Sequence, residues 1–262
     1  RKMSETLPQT IILIHGLRGE HHGLSAIAKN LRPTYRTLVP DLPGSGDRLE
    51  LDNKTLDGYA DWLHYYIKSQ DLPEKPIIAG HSMGSIVVSY FVTKYPKDVD
   101  EKVLLLSPIF RTKRSQKHSN RTYRLTTGAL KLLPKNRRYQ LLKSKKVSYC
   151  IATYLTCDKT KLKHIRQLHY RYSGRFASAD SLMADMKISM QSQVVIPPKK
   201  AVLLCIGAKD QLTSPKLAEQ MANEYHCDFV EIPGSGHLIN YEKPALVARA
   251  MMDFIAKPAV QE

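Results

Sequence analysis

The chain has 262 residues, 42% of them hydrophobic, and 40 Lys/Arg against 24 Asp/Glu give it a net charge of +16. That size suits one α/β domain with a buried sheet and room for a smaller insertion. No apolar run approaches the ~18 residues a transmembrane helix needs, so none is expected, and Arg1 to Thr10 carries no apolar core of signal-peptide length. The four cysteines, Cys150, Cys157, Cys205 and Cys227, form no Cys-x-x-Cys pair and no cluster with zinc-ligand spacing. Reduced cysteines that serve packing in a cytoplasmic protein are the expectation. No internal repeat or low-complexity tract is present.

The charge is uneven. Between Arg111 and Arg175 there are nineteen Lys/Arg and one acid, Asp158, whereas the remainder holds 21 Lys/Arg against 23 Asp/Glu. The basic segment is also where strand-like runs stop.

In chain order, Thr10-Ile11-Ile12-Leu13-Ile14 is a continuous apolar run ending at His15-Gly16, as a strand buried on both faces requires. Gly23 to Leu31 has helical spacing. Arg36 to Pro40 reads as a short strand, closed by the turn-rich loop Asp41-Leu42-Pro43-Gly44-Ser45-Gly46-Asp47. Thr55 to Lys68 reads as an amphipathic helix with Leu56, Tyr59, Ala60, Leu63 and Ile67 on one side. Pro76-Ile77-Ile78-Ala79 then leads into Gly80-His81-Ser82-Met83-Gly84, and a second apolar run follows from Ser85. Strand, sharp turn and helix in that order place Ser82 at the tip of a G-x-S-x-G nucleophile elbow. Lys102 to Leu106 is another buried strand.

The basic segment, Ile109 to Pro198, reads as mostly helical, with stretches at Leu125 to Leu133, Arg138 to Lys146 and Thr160 to Tyr170. Strands resume at Ala201 to Ile206, followed by a helix from Pro215 to Tyr225, a strand from Asp228 to Ile232 and a last helix from Pro244 to Ala256. About six strands alternating with helices predict an α/β fold with a mostly parallel sheet covered on both faces. The expected division is a core of residues 1–108 and 199–262 with a basic helical cap inserted at 109–198.

A serine hydroxyl needs a base within hydrogen-bond reach, and the base needs an orienting acid. Behind an elbow the chain order should be Ser, then Asp/Glu, then His. Asp210, in the loop after one strand, and His237, in the Gly-lined loop after the last, fit that order. Asp185 and Asp228 are weaker candidates, one inside a helix and the other at a strand start. His81 is read as packing. The oxyanion formed during acyl transfer needs two positioned N–H donors; the backbone amides of Met83 and Leu17 are the candidates. Arg18, His21 and His22 lie near that loop and could meet a substrate head group, but a solvated surface is the preferred reading for them.

These residues resemble the α/β-hydrolase superfamily. The resemblance rests on His15-Gly16, Asp41 to Gly46, Gly80 to Gly84, Gly207 to Asp210 and Gly236-His237, which span the chain outside the insertion. It is nearest in pattern to monoacylglycerol lipases, small carboxylesterases and proline iminopeptidases. It implies a cap, here Ile109 to Pro198, that roofs the site and shapes the acyl pocket. Serine at the elbow argues against haloalkane dehalogenases and epoxide hydrolases, which use aspartate there. Two departures are Ser45, where many relatives carry histidine, and a first strand so early that the family's antiparallel edge strands are expected to be largely absent.

The function implied is a serine hydrolase that cleaves carboxylic esters, such as acyl glycerides, with no metal or organic cofactor. An aminopeptidase or a C–C hydrolase on the same triad is the alternative, and a non-catalytic ligand-binding relative is the alternative of another class. The cap could be a solvated surface, could meet anionic membrane through Leu125, Leu130, Leu132, Leu133, Leu141 and Leu142 set among its charges, or could recognise anionic soluble substrates. No nucleic-acid motif is present, and no nucleic-acid partner is expected.

Overall fold

The computed structural model describes residues 8–258. Residues 1–7, which hold most of the stretch expected to lack a signal-like core, and residues 259–262 lie outside the described part.

Six strands, β1 (Thr10–Ile14), β2 (Arg36–Leu38), β3 (Ile77–His81), β4 (Lys102–Leu106), β5 (Ala201–Gly207) and β6 (Asp228–Ile232), form one sheet in the order β2-β1-β3-β4-β5-β6. Every neighbouring pair is parallel. Successive side chains of a strand point to opposite faces, so each aliphatic run feeds two cores. Ile12, Ile14, Ile78, Val103, Leu105, Val202 and Leu204 belong to one. Ile11, Leu13, Ile77, Ala79, Leu104, Leu203 and Cys205 belong to the other. The register sets Ile14 beside Gly80, His81 beside Leu106, and Gly207 beside Ile232. The carboxyl ends therefore line up along one edge, where ligands bind in parallel sheets.

Helices α1 (Ser25–Leu31), α2 (Leu56–Ser69) and α3 (Met83–Lys94) precede β4 or follow from its neighbours, and α4 (Lys113–Lys131), α5 (Lys135–Lys143), α6 (Lys145–Leu155), α7 (Leu162–Tyr172) and α8 (Ala179–Gln191) lie between β4 and β5. The chain continues through α9 (Pro215–Glu224), α10 (Ile239–Glu242) and α11 (Pro244–Ile255). Tyr59 and Leu63 of α2, Val87 and Phe91 of α3 and Ala218 of α9 cover the first face. Ile27 and Leu31 of α1 and Val247 and Met251 of α11 cover the second.

The inserted helices are more numerous than periodicity implies, and α4 runs well beyond the Leu125 to Leu133 stretch. α4 begins at Lys113 because the Thr112 side chain accepts from the Ser115 amide and caps the first turn. The helix expected across Arg138 to Lys146 is interrupted at Ser144, which ends α5 and caps α6 by accepting from the Val147 amide. α8, which carries Asp185 inside a helix as expected, starts at the Ser178 cap and ties the insertion to the sheet's helices: Asp185 accepts from Tyr59 Oη at 2.6 Å and from Lys54 Nζ at 2.8 Å. The strand expected to run to Pro40 stops at Leu38, and Gly23 to Leu31 opens with a 3-10 turn at His21–Leu24 before α1. Among the described residues no helix is long and apolar enough to cross a membrane.

Candidate active site

β3 ends at His81, and Ser82 follows with φ 56° and ψ −123°, a left-handed conformation that strains a residue with a Cβ. Two glycines make the turn possible. A Cβ on Gly80 would lie 2.3 Å from the Gly84 carbonyl oxygen, and one on Gly84 would lie 2.4 Å from that of Ile14. The elbow is therefore wedged against β1, with Ser82 at the edge where the strands end.

The loops after β5 and β6 bring the other two residues to it. His237 Nδ1–H donates to Asp210 Oδ2 at 2.8 Å, since a carboxylate can only accept. That tautomer leaves Nε2 as an acceptor, and Ser82 Oγ–H donates to it at 2.8 Å. Asp210 is buried; burial pushes its carboxyl up, but His237 and the amides of Thr213 and Leu212 outweigh it and hold the pKa below the usual carboxylate range. Those amides donate to Oδ1 at 3.1 and 2.8 Å and leave Oδ2 for the imidazole. Asp185 and Asp228 lie elsewhere, one bound to Tyr59 and Lys54 and the other paired with Lys257.

The remaining expected residues stand close by. Gly16 sits against the nucleophile: a Cβ there would come within 2.9 Å of Ser82 Cβ. Leu17 comes next, and Met83 opens α3. Among the described residues, neither the Leu17 nor the Met83 amide donates to a backbone carbonyl in a turn, loop or cap. His15 supports this loop, donating from Nδ1 to the Gly16 carbonyl and accepting from the Leu42 amide at Nε2, both at 2.9 Å. Burial lowers its pKa.

His81 is buried as expected, but it does more than fill space. Its Nε2–H donates to the His237 carbonyl at 3.2 Å, and Ser107 Oγ donates to the same oxygen at 3.0 Å. Burial first, and the charge of a protonated His237 second, push the His81 pKa down to about 3.

Glu242 is a site residue the sequence reading missed. It is fully buried. Its Oε2 accepts from the Gly236 amide at 2.7 Å and its Oε1 from those of Cys157 and Asp158 at 2.8 and 2.7 Å. The Leu155 carbonyl accepts from the His237 amide at 3.0 Å. The histidine loop is thus stitched to the segment after α6. A glutamate five residues past His237 gives no sequence signal for this, because its partners in the insertion, Asp158 and Cys157, are 84 and 85 positions away.

The reading of Arg18, His21 and His22 as solvated surface is corrected for Arg18, which is 8% exposed, at φ 61°, beneath Leu142 and Phe176. His21 and His22 are half-buried and donate from Nδ1 to Asp41 and Glu20. Glu20, His21 and His22 hold ligand atoms within 4.8 Å of one another, a spacing that could suit a metal ion. Hydrogen bonds with Asp41 and Arg175 already engage those atoms.

Ser82, His237 and Asp210 face a cleft of about 1180 Å³. One wall is the loop Gly16 to Gly19; the other comes from the inserted segment, with Phe110 before α4, Ile151, Tyr154 and Leu155 of α6 and His169 of α7. Among the described residues, Asp210 is the sole acid in its lining.

Residues 11–250 match the model of the alpha/beta hydrolase family. Human monoacylglycerol lipase ABHD6 is 22% identical over 265 residues, covering 94% of this chain and 75% of its own length. Two solved structures share the architecture. MGS-M2, an alpha/beta hydrolase from a deep-sea metagenome, superposes with a TM-score of 0.76 at 16% identity over 100% of this chain and 94% of its own. A thermophilic esterase from Thermogutta terrifontis gives 0.72 at 19% identity over 95% and 90%. With the parallel sheet and the elbow, the family match settles the assignment: this chain belongs to the alpha/beta hydrolase family.

Proposed function

We propose that the chain is a serine hydrolase of carboxylic esters, with Ser82 as nucleophile, His237 as general base and acid, and Asp210 as the group that orients it. The observation that carries this reading is the pair of 2.8 Å hydrogen bonds from Ser82 Oγ through His237 to Asp210. Ser82 Oγ attacks the ester carbonyl as its proton passes to His237 Nε2. The amides of Leu17 and Met83 receive the oxyanion. Collapse expels the alcohol, protonated by His237, and leaves an acyl-enzyme. Water, deprotonated by His237, then releases the acid and restores Ser82. Asp210 stays ionised throughout and steadies the imidazolium.

The cleft is mostly apolar and suits acyl glycerides or similar lipid and small esters. The monoacylglycerol lipase relative supports this substrate class. An aminopeptidase needs a carboxylate for the substrate ammonium; among the described residues the one acid lining the cleft, Asp210, is taken by His237. The four cysteines are free thiols, which suits the reducing cytoplasm.

The basic insertion is proposed to touch anionic membrane. Lys113, Lys117, Arg121, Arg124 and Lys131 are exposed along α4 beside Leu125 and Leu132, which are 64% and 86% exposed. The contact face is narrower than the leucine pattern implies. Leu130 and Leu142 are buried with Phe176 and Leu182, where they hold the insertion together.

The test is hydrolysis of p-nitrophenyl esters of rising acyl length by wild type and Ser82→Ala. Turnover by wild type and its loss in the variant support the reading. A folded wild type inert across the series, or an active Ser82→Ala, overturns it.

A further inference from the structure

Arg18 brings to the cleft a buried charge that is only partly paired. Its side chain is enclosed, 8% exposed, in a loop residue held at φ 61°. Nη1–H donates to the Leu142 carbonyl at 2.8 Å, and the guanidinium carbon lies 5.6 Å from the centre of the Phe176 ring. Nε and Nη2 are buried and have no partner. Buried guanidinium groups are ordinarily paired, because an unanswered charge away from water is costly.

The two idle nitrogens are neighbours on one edge of the planar group. That edge presents parallel N–H bonds at the spacing of the two oxygens of a carboxylate. The residue lines the same cleft as Ser82, as do His169 and Ser173. The other Lys/Arg residues lining the cleft differ: Arg111 donates to the carbonyls of Ser189 and Ser192, and Lys216 is exposed to solvent. Turning the idle edge of Arg18 toward the cleft releases one hydrogen bond, to the Leu142 carbonyl.

We propose that Arg18 is a specificity residue that receives a carboxylate carried by the substrate away from the scissile ester, so that among the small esters the cleft admits, ester acids are preferred over neutral esters of matched length. The inference rests on the ester-hydrolase reading above. Two donors answer two carboxylate oxygens, whereas a phosphate would bring a further charged oxygen against Leu142 and Phe176. His169, beside this corner, is kept neutral by burial first and by the Arg18 charge second, its pKa pushed down to about 3. Arg18 burial lowers its own pKa to about 10, which leaves it cationic at neutral pH.

The experiment pairs monomethyl adipate and monomethyl suberate with neutral methyl esters of matched length, followed by proton release, in wild type, Arg18→Gln and Arg18→Lys. Wild type should favour the ester acid in kcat/KM by about tenfold or more, the scale of a charge-assisted pair. In Arg18→Gln the ratio should fall to near one. Arg18→Lys keeps the charge but not the fork and should lose most of the preference, which decides the matter if the glutamine variant does not fold. A ratio unchanged in the variants, a parallel fall on both substrates, no wild-type preference, or an Arg18-dependent preference for a matched phosphate-bearing ester each overturns the proposal.

Adipate binding by calorimetry separates the two readings. If neutral esters turn over through Ser82 while adipate ignores Arg18, the hydrolase reading stands and this one falls. If no ester is cleaved but adipate binds about tenfold more weakly to Arg18→Gln, the carboxylate site stands and the ester reading falls.

Discussion

Acid should destabilise this fold well above the range where its carboxylates titrate. His81 and His169 are both buried, with pKa values pushed down to about 3 from 6.5. Each is neutral in the folded chain at pH 5, whereas each is mostly protonated once unfolded. The unfolded state therefore binds more protons, and stability rises with pH across this window. The contribution is complete above about pH 6.5 and is lost as pH falls towards about 3. Between pH 7 and 5 each histidine should remove about 2 kcal/mol, and the two together about 4 kcal/mol. Asp185, whose carboxyl burial raises above its usual range, works in the opposite direction. A variant is therefore needed to isolate one term. Urea unfolding at pH 7 and pH 5 measures the loss, and in His169→Gln the difference between the two pH values should shrink by about 2 kcal/mol whatever its absolute stability. A wild type equally stable at both pH values, or a variant with the full pH dependence, would refute the account of these histidines as buried and neutral.

Glu242→Gln replaces an acceptor of three backbone amides with a group that is itself partly a donor. Stability should drop by about 2–4 kcal/mol, and kcat on an ester should fall about tenfold or more with KM little changed, because the His237 loop loses its anchor; melting and steady-state kinetics check both, and an unaltered kcat would dismiss the anchoring role. Vesicles of anionic lipid should retain the protein at low salt and release it steeply as salt rises. Co-sedimentation reads this, and binding that is absent or indifferent to salt removes the membrane contact proposed for α4.

The sheet was legible because parallel strands buried on both faces need unbroken aliphatic runs, and Thr10–Ile14 or Ala201–Gly207 can hardly be read otherwise. The positions of Ser82, Asp210 and His237 were legible for a related reason, since each lies in the turn or loop after a strand, and the glycines in those segments mark backbone that must approach closely. The insertion was legible mainly as composition. Its helix ends depend on single caps such as Ser144, which a smooth periodic pattern hides. Arg18 was misread because an arginine after a glycine-bearing turn has the local pattern of a solvated loop. Only Leu142 and Phe176, brought from far along the chain, close over it. Leu130 and Leu142 failed as membrane residues for the mirror-image reason: their burial comes from Phe176 and Leu182, which no local window contains.

The stitch between Glu242 and residues 155–158 bears on how such a chain can be re-engineered. Exchanging the inserted helices is the obvious route to a new substrate range, because they form one wall of the cleft. Yet the last turn of α6 and the two residues after Thr156 are also the footing of the histidine loop. A graft cut at the ends of β4 and β5 would carry a foreign footing with it, and the His237 imidazole would drift even though no residue of the sheet had changed. A transplant that leaves Leu155 to Asp158 in place keeps the two jobs separate.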